Sequence, residues 1–184
     1  MKGIEPIFQS FRINKIKQFF PIETSDKVLV DLGCDFEQTV LKAFAPEFKK
    51  VIGVDIVAKP EKYSNIEIIN ANLEKKLPLK NNSADVVTML AVLEHLKYPE
   101  VALSEASRIL KKGGLLLLTV PAAQSEPVLE FLANVGIIRR EMIDQHENYF
   151  THRRLKRITL EAGFGSVSIQ SWQFGFNTFM IATK

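Results

Sequence analysis

Val28-Leu29-Val30-Asp31-Leu32-Gly33-Cys34-Asp35-Phe36-Glu37 joins a short apolar run to an acid, a glycine and two further acids. Val28 to Leu32 is too short for a buried helix and ends at a glycine, so it reads as a strand opening into a turn. Gly33 has no Cβ, which permits a tight turn and lets a ligand approach the backbone. Further along the chain lie four runs of the same kind: Val51 to Ile56, Ile66 to Ile69, Ala84 to Ala91 and Gly114 to Val120. All are short, and most are rich in β-branched residues or leucine. Such runs suit the strands of a parallel sheet covered on both faces.

Helical periodicity fills two of the gaps. After Pro99, which suits a first helical turn, Ala102, Leu103, Ala106, Ile109 and Leu110 recur at helical spacing, and Gly113-Gly114 is expected to stop that helix. Between Phe36 and Phe44, Val40, Leu41 and Phe44 form a weaker stripe ended by Ala45-Pro46. From Val57 to Asn65 there is little room for a crossover helix, and a single turn or a loop is expected there. Near the end, Thr151 is a good N-cap, Leu155, Ile158 and Ala162 share a helical face, and Gly163 suits the position after the helix. Ser166 to Phe174 and Phe176 to Thr183 then read as a closing antiparallel pair. At the front, Ile4, Ile7, Phe8 and Phe11 share one helical face and Ile13, Ile16 and Phe20 another, so the helix is either interrupted near Arg12 or buried on two sides.

Strand alternating with helix predicts an α/β fold: a Rossmann-like, doubly wound, mostly parallel seven-stranded sheet with an antiparallel C-terminal strand. The chain of 184 residues fits one domain, with a helical segment over 1–25 and an α/β core over 26–184. A net charge of +3 does not argue for nucleic acid, and the single cysteine excludes an internal disulfide and a cysteine zinc site, so no metal is expected. No apolar run approaches the roughly 20 residues of a membrane span, and no signal-peptide pattern opens the chain, which points to the cytoplasm. Oligomeric state is not legible.

In an open α/β sheet ligands sit beyond the carboxyl ends of the strands, where strand order reverses. The second strand ends in Asp55, 24 residues after Asp31. A carboxylate so placed can accept hydrogen bonds from the ribose hydroxyls of an adenosine-type ligand. Either residue alone also has a plain reading, the glycine as a turn and the acid as a cap. The G-x-G-x-x-G loop of dinucleotide sites is absent, which disfavours a nicotinamide-dependent oxidoreductase, and Asp31 would place negative charge beside phosphates. A ligand with a cationic amino group and no phosphate fits better, as S-adenosylmethionine does.

These segments resemble the class I S-adenosylmethionine-dependent methyltransferases, in the group related to ubiquinone and menaquinone methyltransferases. Val28 to Cys34 is similar to that family's first motif, and Val51 to Ile56 to the segment ending in its ribose-binding acid. Ala71-Asn72-Leu73-Glu74 with Leu77-Pro78 resembles the stretch lining the adenine. The longest match runs through Ala84-Asp85-Val86-Val87, Val92-Leu93-Glu94-His95-Leu96 and Arg108 to Gly114. His146 to Thr151, with Leu155 and Ala162-Gly163-Phe164, resembles a C-terminal segment common in members that act on sugars, lipids and other small metabolites. The resemblance implies a cofactor site of Asp31, Gly33, Cys34, Asp35, Asp55, Ile56, Asn72, Leu73 and Leu90, with Leu90-Ala91 near the transferred methyl. It implies a small-molecule acceptor.

The chain departs from the family at Asp35 and Glu37, where the loop usually has Gly-x-Gly, at Asn72, where it usually has Asp, and in the shortened crossover after Asp55. These departures motivate an alternative, a methyltransferase-like binding or regulatory domain without catalysis. A general base for methyl transfer is most often His or a carboxylate. His146 is the better candidate, against an ordinary hydrogen-bonding role; His95 belongs to a structural Glu-His signature, and His152 faces solvent in a first helical turn. Cys34 reads as a small packing residue rather than a nucleophile. Arg139, Arg140, Arg153, Arg154, Lys156 and Arg157 read as a solvated helix face, against contacts to an acidic substrate or a phosphate.

Overall fold

The computed structural model describes residues 5–125, 147–173 and 175–184. The first apolar run is strand β1 (Val28–Leu32), followed by a short helix α2 (Thr39–Phe44) that buries Val40, Leu41 and Phe44, and by β2 (Lys50–Asp55). Then come β3 (Glu61–Tyr63), β4 (Ile66–Asn70), β5 (Ala84–Leu90), helix α3 (Pro99–Ile109) and β6 (Leu110–Pro121). Helix α4 (His152–Glu161), β7 (Ser166–Trp172) and β8 (Asn177–Thr183) complete the described chain, which opens with helix α1 (Glu5–Lys17).

The strands form one sheet in the order β3-β4-β2-β1-β5-β6-β8-β7. The pairs β4–β2, β2–β1, β1–β5 and β5–β6 are parallel, whereas β8 runs antiparallel to both β6 and β7. The doubly wound sheet with its antiparallel C-terminal strand is therefore as expected, with eight strands among the described residues rather than seven. The extra strand lies in the short crossover after Asp55. With no room for a helix, the chain returns as β3, antiparallel to β4 on the outer edge, and reverses at Ser64, whose φ is 52°. Asn70 pins this crossover: its Nδ2 donates to the carbonyls of Ile56 (2.7 Å) and Ala58 (3.0 Å).

One other expectation is corrected, and one open alternative is decided. Helix α3 stops at Ile109, before the glycine pair, because Leu110 already takes extended dihedrals and pairs with Ala84. Lys111 to Gly114 are then accommodated as an irregularity in β6, since the next paired residues are Val86 and Leu115. Helix α1 is continuous through Arg12; it buries Ile13 and Ile16 on the sheet while Phe11 stays 53% exposed.

The core has two halves, one on each face of the sheet. Side chains alternate along buried strands. Val30, Leu32, Val87, Leu116 and Leu118 thus meet α3 and α4 on one face. Leu29, Val86, Leu117 and Phe179 meet α1 and α2 on the other. Thr151 caps α4 by accepting the Arg154 N–H at 3.2 Å, and Leu155 and Ile158 are buried as their spacing predicts. No described helix is long and apolar enough to cross a membrane.

Candidate functional site

Strand order reverses at β1, which lies between β2 on one side and β5 on the other. The loops leaving β1, β2 and β5 therefore meet at one carboxyl edge, the place where open α/β sheets bind ligands. The fold brings Asp31, Gly33, Cys34, Asp35 and Asp55 together there.

Asp31 is 1% exposed and shares the α1 face with Leu29. Its Oδ1 accepts the Thr88 hydroxyl at 2.6 Å, while its Oδ2 is buried without a partner. Burial pushes its pKa up to about 7, opposed by the Thr88 bond and assisted by the charge of Asp55. An acid so enclosed is costly to ionise unless a cation meets it.

Gly33 turns the chain with φ 88°, and a Cβ there would come within 2.3 Å of Val92 Cγ2. Both its conformation and its contact with the turn after β5 thus require glycine. Cys34 points down into the core, where it takes the space left by Gly53: a Cβ on Gly53 would lie 2.7 Å from Cys34 Sγ. Burial and the nearby Asp31 and Asp55 charges raise the thiol pKa well above its usual value, which disfavours the thiolate.

Asp35 and Glu37 are exposed. Asp35 nonetheless adopts φ 61°, the left-handed conformation for which the family's glycine is suited and which Asp tolerates better than most residues. Its carboxylate accepts the Phe36 N–H, and its own N–H donates to Asp55 Oδ2 at 3.0 Å. Asp55 Oδ1 accepts the Val57 N–H at 3.0 Å. Each carboxylate oxygen has a second lone pair, so both can still accept ribose hydroxyls.

Ile56 is 60% exposed beside Asp55, leaving an apolar side chain at the rim. Asn72 Oδ1 accepts the Glu74 N–H at 2.8 Å, which fixes the turn after β4. Leu73 points away into the core at 6% exposure, so it offers this edge backbone rather than side chain. Leu90 ends β5 half-buried, and Ala91 takes φ 56° while donating its N–H to Thr119 O at 2.9 Å.

The 3₁₀ turn Leu93–His95 follows, with His95 exposed and Glu94 fully buried. Burial raises the Glu94 pKa to about 7 although the Arg12 charge on α1 opposes the rise. The Glu94 carbonyl accepts the N–H groups of Glu147 (2.8 Å) and Asn148 (3.0 Å), and Asn148 Nδ2 donates to Leu96 O at 2.7 Å. Arg12 and Asn148 were missed by sequence reasoning, because nothing in local pattern marks a helix residue or a loop amide as facing a turn far along the chain. His146, Arg139 and Arg140 lie outside the described residues. His152 is exposed as expected, with Nε2 3.3 Å from the Thr178 hydroxyl.

A family model described as a methyltransferase domain matches residues 8–169. The chain belongs to the class I S-adenosylmethionine-dependent methyltransferase family. A ubiquinone/menaquinone biosynthesis C-methyltransferase UbiE of Campylobacter jejuni is 27% identical to this methyltransferase domain over 145 residues, 70% of the chain and 61% of that relative's length. The domain thus spans about three fifths of that relative. The solved YcgJ protein of Bacillus subtilis has a similar fold, with a TM-score of 0.73 at 16% identity over 95% of this chain and 98% of that one. So does Haemonchus contortus phosphoethanolamine N-methyltransferase 2, solved with phosphomonomethylethanolamine and S-adenosylhomocysteine: its TM-score is 0.71 at 18% identity, over 95% of this chain and 53% of that one.

Proposed function

We propose that this domain binds S-adenosylmethionine along the carboxyl edge of the sheet and passes its methyl group to a small-molecule acceptor, such as a sugar, a lipid-linked compound or another metabolite. The observation that carries the reading is the enclosed Asp31 carboxyl, whose Oδ2 has no partner and lies one strand from Asp55. An ammonium group fits Asp31 and a ribose fits Asp55, and the ligand that bears both without a phosphate is the family's cofactor.

When bound, the cofactor supplies a methyl group on a sulfonium centre open to displacement. The chain's own residues bind and orient. Asp55 and the Asp35 N–H, already joined, hold the β1 loop against the tip of β2. Ile56 offers an apolar face at the rim and Asn72 a polar contact for the base. The Leu90-Ala91 corner, held by Thr119, shapes the edge where an acceptor meets the methyl. Holding two reactants in line supplies much of the rate in such displacements. His146 is the candidate proton acceptor.

Calorimetric titration with S-adenosylmethionine and S-adenosylhomocysteine tests the reading. Binding is expected in the wild type, lost by at least about tenfold in Asp55→Ala and retained in His146→Ala. Absence of binding at millimolar ligand would sink the proposal. Binding without methyl transfer to any acceptor in a broad metabolite screen would favour the non-catalytic alternative.

A further inference from the structure

At the amino edge of the sheet, opposite the proposed cofactor edge, a cleft of about 440 Å³ opens between the chain that follows α1 and the start of β6. Phe19, Phe20 and Pro21 come from the first, and Lys111, Lys112 and Leu115 from the second. Lys27 and Asp85 join them from the starts of β1 and β5. Strand β5 is seven residues long, so roughly 20 Å separates this cleft from Leu90 at the other edge. A concavity of this volume suits a small molecule.

The lysine side of the cleft is built by the irregularity in β6. From Leu110 to Leu115 this strand advances five residues while β5 advances two, from Ala84 to Val86, so three residues are looped out. Bulges at a sheet rim re-aim side chains. Here Lys111 Nζ reaches both oxygens of Asp85 at 2.8 Å, and Gly113 turns with φ 77° where an added Cβ would meet open space. Lys184, which does not line the cleft, ties the loop down: it accepts the Gly113 N–H at 2.9 Å and donates its own to Gly114 O at 3.1 Å.

Asp85 is taken up within the protein, since its Oδ2 also accepts the Val28 N–H at 2.9 Å. Burial opposes its charge, yet the Lys111 and Val28 bonds and the Lys27 charge hold the carboxyl below its usual range. Lys27 has its ion-pair partner in the exposed Asp26, at 3.8 Å, and Lys112 is exposed with no ion pair among the described residues. One carboxylate in the cleft thus faces three ammonium groups, and two positive charges are left over beside half-buried aromatic rings. The rings suit a flat apolar body, and the lysines suit an anionic head. S-adenosylmethionine, with its cationic sulfonium and ammonium, is disfavoured there. We propose that this cleft is a second small-molecule site, which takes a ligand with a flat apolar body and one anionic head, a carboxylate or a phosphate. The proposal does not depend on the cofactor reading.

The test titrates the full chain with 1-naphthyl phosphate, 1-naphthoate, 1-naphthol and inorganic phosphate, following amide chemical shifts. At least one naphthyl anion is expected to bind about tenfold more tightly than both 1-naphthol and inorganic phosphate, and the tighter of the two names the head group. The largest shifts should fall on Gly113, Gly114 and Leu115. Lys112→Gln, at an exposed side chain, should weaken the anion about 5- to 10-fold, and adding Lys27→Gln should weaken it further. Saturating S-adenosylhomocysteine should leave its affinity within about twofold, because the two edges are separate. No binding of either anion at millimolar concentration, equal binding of 1-naphthol, unchanged affinity in the lysine variants, or displacement by S-adenosylhomocysteine would each overturn the proposal.

Discussion

The backbone N–H of Asp35 donates to Asp55 Oδ2 at 3.0 Å, tying the loop after β1 to the end of β2. One acid thus occupies a glycine position in the loop while its amide orients the acid that faces the proposed ribose site. Asp35 and Glu37 are exposed, so their effect on a bound ligand is expected to act through charge rather than bulk. Asp35→Gly with Glu37→Gly should strengthen S-adenosylhomocysteine binding by about two- to fivefold at low salt, with the gain shrinking as salt screens the loop. Calorimetry across ionic strength checks this; unchanged or weaker binding would show that the acids do not obstruct.

Gly33 and Val92 are the tightest steric pair at the site, with 2.3 Å between an added Cβ and Val92 Cγ2. Gly33→Ala is expected to destabilise the fold by about 2 kcal/mol or more, from overpacking and a positive φ together. Adding Val92→Ala relieves the clash but not the φ strain. The double variant should therefore be less destabilised than the sum of the singles by about 1 kcal/mol. Urea titration of the four proteins measures the coupling.

Asp31 and Glu94 give the unliganded protein a pH dependence of defined sign. Both carboxyls keep their protons in the folded state up to about pH 7, whereas in the unfolded chain they release them near about pH 4. Between these values the folded state binds more protons, so these two groups make stability fall as pH rises. The urea midpoint should decrease from about pH 5 to about pH 8, and Asp31→Asn with Glu94→Gln should flatten the slope. A slope of the same size in the double variant would assign the effect to other groups.

Cys34 is the chain's single cysteine and is buried beneath the loop, with its thiolate disfavoured by burial and by Asp31 and Asp55. A chromogenic disulfide reagent is expected to label it only as fast as the protein opens, and rapidly in urea. Fast stoichiometric labelling of the native protein would place the thiol at the surface instead.

Much of the fold was legible because it rests on local chemistry. Short apolar runs ending at Gly33, Asp55 and Leu90 mark parallel strands whose two faces are both covered, and Pro99 and Thr151 mark helix starts. The grouping of Asp31, Gly33 and Asp55 followed from the same runs, since parallel strands put their carboxyl ends on one side. Boundaries were less legible. The end of α3 was read at Gly113-Gly114, but pairing of Leu110 with Ala84 across the sheet stopped it at Ile109.

The sequence by itself determined the strand pattern, the acidic edge and the family, because these depend on residue type and short-range order. Only the tertiary structure decided that the ten-residue crossover after Asp55 folds back as β3, that Leu73 turns inward, and that Glu94 is buried in the turn after β5. Each of these depends on which elements pack against one another, and burial of Asp31 and Glu94, with the raised pKa values it causes, exists only once the sheet and α1 close over them.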